Sequence, residues 1–168
     1  ADGDLWVSYS VNKEDMWISR IPVPVEINAS AHADDDFSKN KSIAELTDWN
    51  IYSPVWAPVS LEDQWLKLQD KDPFDYAKVE RKIPASKELK VSFDLKAGQN
   101  NKGTLHIEFL DENGIACSRI ELTDDGIFRL KGGSRFANMM KYEAGKIYHV
   151  EAVLSTVDRN IQVYVDGK

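Results

Sequence analysis

The sequence predicts an all-β protein, an antiparallel two-sheet sandwich preceded by a β-hairpin. Two observations predict it. Apolar residues recur with period two: Leu89, Val91, Phe93 and Leu95 alternate with polar neighbours, and the same alternation runs through 104–109 and 161–165. Such alternation puts one face of a strand on a core and the other in water. Turn signals also fall between these runs, at Asn113 with Gly114, Asp125 with Gly126, Gly132 with Gly133, and Asp166 with Gly167. Short strands spaced by roughly ten residues indicate an antiparallel sandwich or barrel.

The elements follow in order. Segments 5–11 and 16–23 form a hairpin across 12–15, and Pro22 and Pro24 stop its second strand. Residues 25–48 are polar and read as a linker that contains Asp34, Asp35 and Asp36. A short helix is expected within 36–47, where Ser42 and Glu45 have the spacing of a capping box. The sandwich occupies 49–168.

Composition sets bounds. The chain has 168 residues, enough for one domain with a full core and a short extra segment. Hydrophobic residues at 42% and charged residues at 29% exclude wholesale disorder. No apolar run approaches the ~20 residues needed to cross a bilayer, so no membrane span is expected. The net charge is -7, the acidic residues are scattered, and Lys and Arg form no stripe along the sequence. That balance argues against a nucleic-acid partner. Cys117 is the single cysteine, which excludes an intrachain disulfide, and it reads as a small buried hydrophobe. His32, His106 and His149 are scattered and read as surface residues. Asn28 with Ser30, and Asn40 with Ser42, match glycosylation sequons.

The ends carry expectations of their own. A two-stranded hairpin cannot bury Trp6, Tyr9 and Trp17 by itself. It is expected to pack on the sandwich or to complete a sheet formed by upstream sequence. At the other end, Asp166 and Gly167 form a turn signal that leads into another strand. Both ends therefore read as cut, and the chain reads as a piece of a larger protein.

Two stretches carry a family resemblance. Residues 5–24 resemble the closing strands of sialidase-like, BNR-repeat β-propeller proteins secreted by polysaccharide-degrading bacteria. Residues 49–168 are similar to the β-sandwich that follows the propeller in some of them, with 68–77 the most distinctive run. Segments 148–153 and 161–168 resemble the late strands of laminin-G-like and concanavalin-A-like jelly rolls. The resemblance implies a jelly-roll sandwich lacking its final strands, and makes 1–24 the end of a missing propeller. It further implies a non-catalytic accessory domain of a glycan-active bacterial protein, secreted, periplasmic or on the cell surface. Such a domain binds a poly- or oligosaccharide or braces a covalently linked or associated propeller. The parent would be a glycoside hydrolase or lyase.

The residues themselves offer no complete catalytic site. Retaining glycosidases of this fold class set carboxylates two apart on one strand, so that both face one groove. Glu108 and Asp111 are three apart, and Glu112 sits in a turn. Asp70, Asp72 and Asp75 crowd around Pro73 and could ligate calcium, which takes 6–8 oxygens, or could cap backbone amides in a turn. Trp49, Tyr52, Trp56 and Trp65 precede this loop, and Phe74 and Tyr76 lie in it. Aromatic faces suit the apolar side of a pyranose ring, and they suit a core equally well. Trp56, between Pro54 and Pro58, and Trp65 are the expected exposed pair. With Tyr76 they make the candidate sugar-binding set. A jelly-roll glycosidase or lyase, and a structural or protein-interaction domain, are the competing readings.

Overall fold

The structure, a computed structural model, describes residues 4–11, 15–21 and 32–168. Of the turn expected across 12–15, residues 12–14 lie outside the described residues, as do the strand stop at Pro22 and Pro24 and the sequon at Asn28, while Asp15 opens the second strand. The chain divides into two compact units, Ala1–Pro84 and Ala85–Lys168.

Among the described residues, the first unit holds three antiparallel ladders. Strand β1 (Leu5–Val11) pairs with β2 (Asp15–Ile21), setting Tyr9 opposite Trp17. Trp6, Tyr9 and Trp17 are all exposed. Strand β3 (Trp49–Tyr52) pairs with β6 (Lys78–Arg81), and β4 (Val59–Glu62) with β5 (Trp65–Leu68). Among the described residues, Leu46, Ala57 and Val59 are its buried apolar ones.

The helix expected within 36–47 is a single 3-10 turn, Ile43–Glu45, and its capping box does not form. Ser42 makes no side-chain cap bond. The amide it would have capped, Glu45 N–H, already donates to the Ser42 carbonyl at 3.2 Å, as the tighter i to i+3 turn requires. Only the reverse half survives, one residue early: Lys41 N–H donates to the Glu45 carboxylate at 2.9 Å.

The second unit is the sandwich. Strands β8 (Leu105–Leu110), β9 (Ala116–Leu122), β10 (Ile127–Gly132) and β11 (Arg135–Lys141) form one sheet, ordered β11-β10-β9-β8. Strands β7 (Glu88–Lys96), β12 (Ile147–Ser155) and β13 (Asn160–Val165) form the other, ordered β13-β12-β7. Every pairing is antiparallel. Ile120, Leu122 and Phe128 from the first sheet meet Val150, Ala152, Leu154 and Val165 from the second, and the alternating Leu89, Val91, Phe93 and Leu95 pack against them. The fold is therefore all-β and sandwiched, as the period-two pattern predicts.

Phe128 sits fully buried at the centre of this core, edge-on to Tyr142 at 5.6 Å and to Tyr148 at 5.3 Å. Both buried tyrosines satisfy their hydroxyls on backbone: Tyr142 donates to the Thr123 carbonyl, and Tyr148 accepts from Glu143 N–H, each at 2.8 Å. This is what keeps two polar atoms tolerable in an apolar interior.

Cys117 corrects an expectation, being exposed rather than buried. Strand β9 sends Ser118, Ile120 and Leu122 inward, which leaves Cys117, Arg119 and Glu121 on the outer face. Ser118 can take the inward place because its hydroxyl donates to the Lys131 carbonyl at 2.8 Å.

Candidate functional site

In the first unit, two loops carry the predicted aromatics and are tied together through backbone. Lys71 N–H donates to the Trp56 carbonyl at 2.9 Å, and Gln69 N–H to the Pro58 carbonyl at 3.0 Å. The Trp56 segment and the acidic loop that begins at Asp70 are thereby neighbours. Trp56 is 67% exposed and Tyr76 59% exposed. Tyr52, at the end of β3, lies against Tyr76 with ring centroids 5.6 Å apart. Phe74 is almost wholly in solvent. Trp65 departs from expectation: it is half-buried in β5, paired opposite Glu62 in the short β4–β5 ladder. The exposed aromatics of these loops are therefore Tyr52, Trp56, Phe74 and Tyr76, of which Tyr52 and Tyr76 are in ring contact. Tyr52 was not among the residues expected to contact a ligand, because its contact with Tyr76 spans the whole loop.

The three loop carboxylates are occupied with backbone. Asp70 accepts from Asp72 N–H and Asp72 from Phe74 N–H, each at 2.9 Å, and Asp75 accepts from Tyr76 N–H at 2.8 Å. These are Asx-type contacts that shape the turn around Pro73. Asp75 also accepts from the Tyr52 hydroxyl at 3.0 Å. That bond holds the Tyr52 proton and raises its pKa above 10.0. Among the described residues, no three His, Cys, Asp or Glu side chains come together in a group that could hold a metal ion.

Trp49 belongs to a different cluster. It is half-buried, its indole N–H donates to Asp35 at 3.2 Å, and the Arg81 guanidinium lies 6.0 Å from its ring. Arg81 Nη1 sits 2.9 Å from an Asp48 oxygen, but neither that nitrogen nor Nε makes an aligned hydrogen bond, so the attraction is one of charge. Asp34, Asp35 and Asp36, with Phe37, Lys39 and Asn40, line an open cleft of about 310 Å³. Asp36 accepts from both the backbone and the hydroxyl of Ser38, which holds its carboxyl below the usual range.

In the second unit, the Glu108 carboxylate is bonded to Arg119 Nε at 2.8 Å, and Arg119 Nη1 reaches Glu121 at 3.2 Å. Asp111 serves its own turn, accepting from Asn113 and Ile115 N–H groups, and Glu112 is exposed. One guanidinium thus joins two carboxylates from neighbouring strands, an arrangement of ion pairs rather than of acid and base. Glu121 is only 7% exposed although it faces outward, and His106 lies 3.9 Å from it. Burial, reinforced by Arg119, lowers the His106 pKa below 6.5. His149 is exposed and bonded to Asp94 at 2.8 Å.

Lys and Arg form no stripe along the chain, yet the β10–β11 hairpin gathers Arg129, Lys131, Arg135 and Lys141 and carries no Asp or Glu. All four lie within 129–141 of the sequence, and the antiparallel register decides which of them share a face: Arg129, Lys131 and Lys141 do.

Comparison with known proteins fits this architecture. The profile of a family described as "Sialidase-like, CBM domain" matches residues 49–168. A solved structure titled "Sialidase" superposes with a TM-score of 0.88 at 89% sequence identity, covering 99% of this chain. The match spans only 15% of that structure's chain. None of the curated proteins matches. With a profile match that takes in the acidic loop and both sheets of the sandwich, the chain belongs to the sialidase-like CBM domain family.

Proposed function

We propose that this chain is a carbohydrate-binding accessory domain that holds a poly- or oligosaccharide against the aromatic surface of Tyr52, Trp56 and Tyr76. The observation that carries the reading is the exposed Tyr52–Tyr76 pair, with Tyr52 held by the Asp75 carboxylate, together with an exposed Trp56 whose backbone is bonded to the start of the same loop. Large apolar faces left in solvent have a use when a ring with an apolar side stacks on them. Asp75 and the tyrosine hydroxyls would then meet the sugar hydroxyls. In this reading the parent is an exported bacterial glycan-active protein whose propeller carries the chemistry.

Isothermal titration against a panel of neutral oligosaccharides tests it. Trp56→Ala and Tyr76→Ala should each weaken binding by about tenfold, the cost of one lost stacking contact of about 1.4 kcal/mol. Unchanged affinity in both variants would remove the aromatic surface from the reading.

A further inference from the structure

The sheet β11-β10-β9-β8 has an outer face whose composition follows from its register. One row across the four strands runs His106, Glu121, Arg129 and Asn138, and the next runs Glu108, Arg119, Lys131 and Phe136. Ile120, Leu122, Phe128 and Leu130 pack into the core, so these neighbours face the other way. Lys141, opposite Ile127, shares that outer parity.

The two halves of the face differ in charge. On β8 and β9, Glu108 and Glu121 both bond to Arg119, and His106 is held toward its neutral form. That half is close to balanced. On β10 and β11 there are cations and no carboxylates, in a chain whose net charge is -7. Arg129 reaches Glu121 only at 3.9 Å, and no ion pair among the described residues involves Lys131 or Lys141. Arg129 donates through Nε to Asn138 at 3.0 Å, which fixes the plane of its guanidinium. Phe136 is 57% exposed beside these cations, with Lys131 Nζ 5.4 Å and Arg129 Cζ 6.0 Å from its ring centroid.

We infer that this face, centred on Arg129, Lys131 and Phe136, binds an anionic polysaccharide, a chain of carboxylate-bearing sugars, independently of the aromatic loop. An oriented guanidinium matches a carboxylate in a fork geometry that a lone ammonium cannot. The aromatic ring offers a platform for a pyranose, and the Asn138 amide offers polar contacts to hydroxyls. The carboxylates of Glu108 and Glu121 in the adjoining strands disfavour the evenly charged backbone of a nucleic acid. They are compatible with a sugar chain, whose charges are spaced and whose hydroxyls can donate to them.

The test is a two-dimensional NMR titration of the full chain with oligogalacturonate, its fully methyl-esterified counterpart, polyglutamate and a single-stranded oligodeoxynucleotide. Oligogalacturonate should shift the resonances of Lys131, Phe136 and Asn138. Methyl esterification keeps the sugar and removes the charge, and should weaken binding by about tenfold or more, as should raising salt until the Debye length falls well below ~10 Å. Lys131→Gln and Phe136→Ala should each weaken binding by about fivefold or more, Lys131→Arg should restore it, and a well-dispersed spectrum of each variant shows that it is folded. Lys90→Gln, which removes a cation from β7 in the other sheet, should change nothing. The inference is overturned by no oligogalacturonate binding, by equal binding of the methyl ester, or by equally tight binding of the polyglutamate or oligodeoxynucleotide. Shifts confined to Tyr52, Trp56 and Tyr76 would overturn it as well, while leaving the aromatic-loop reading standing.

Discussion

The Tyr52 hydroxyl donates to Asp75 at 3.0 Å, joining the end of β3 to the acidic loop across 23 residues. The bond gives a loop carboxylate a structural task and orients one aromatic face of the candidate sugar site. It also predicts a titration. Hydrogen bonding to Asp75 favours the protonated phenol, so the folded-state pKa of Tyr52 is raised above 10.0. The stabilising contribution is present below 10.0 and is lost as pH rises through the raised value. Ultraviolet absorbance titration should find two tyrosines ionising late, Tyr52 and the buried Tyr142, and Asp75→Asn should bring only the Tyr52 transition back toward 10.0. The same substitution should weaken oligosaccharide binding, because Tyr52 then loses its fixed orientation. A titration identical in the two proteins would count against the bond.

A second prediction concerns His106. Its pKa is lowered chiefly by burial and then by Arg119, while Glu121 and Glu108 pull the other way. For a histidine depressed in the folded state, stability is full above the unfolded value near 6.5. It declines as pH falls from there through the folded value. Chemical denaturation should therefore show a loss of stability on acidification in that window, reduced in His106→Gln. Arg119→Leu removes the repulsion and leaves Glu121 to attract, so the His106 pKa, followed by NMR, should move up. A downward move would refute the assignment of Arg119 as a cause.

These two sites show what a single sequence reveals. Alternation in 88–95 and 161–165 is a local property, so the strands and their buried faces could be read directly. Sites assembled across strands could not. Tyr52 meets Asp75 only once β3 and the loop are placed, and Arg119 joins Glu108 to Glu121 only through the β8–β9 register. Cys117 was misread for a different reason. Residue type suggests burial, whereas the alternation of Arg119, Ile120, Glu121 and Leu122 sets Cys117 at the outward parity, and only the polar but inward Ser118 blurs that pattern.

The core makes the third prediction. Phe128 has no exposure and meets two tyrosine rings edge-on. Phe128→Ala should cost about 3–5 kcal/mol in urea unfolding, through lost transfer energy and the cavity left behind. Gly126→Ala tests the neighbouring turn. Gly126 has φ +78, and a methyl there would lie 3.3 Å from the Asn100 carbonyl oxygen. The strained backbone alone should cost about 1–2 kcal/mol. An effect near zero at Gly126 would mean that the turn relaxes without penalty.

The β4–β5 turn makes the fourth. Asp63 and Gln64 occupy it with φ of 49 and 68, the left-handed conformation that two-residue hairpins favour and that glycine adopts most easily. No glycine marks this hairpin, so no turn signal is legible there. A non-glycine residue in this region costs about 1–2 kcal/mol, of which glycine's extra freedom in the unfolded chain returns roughly 0.5–1 kcal/mol. Gln64→Gly should therefore stabilise the hairpin by roughly 0.5–1 kcal/mol. Trp65 follows immediately in β5 and is half-buried, so in a background whose other four tryptophans are replaced by Phe its fluorescence reports the local transition. A higher urea midpoint is expected. A lower one would show that the Gln64 side chain contributes more through its contacts than its backbone costs.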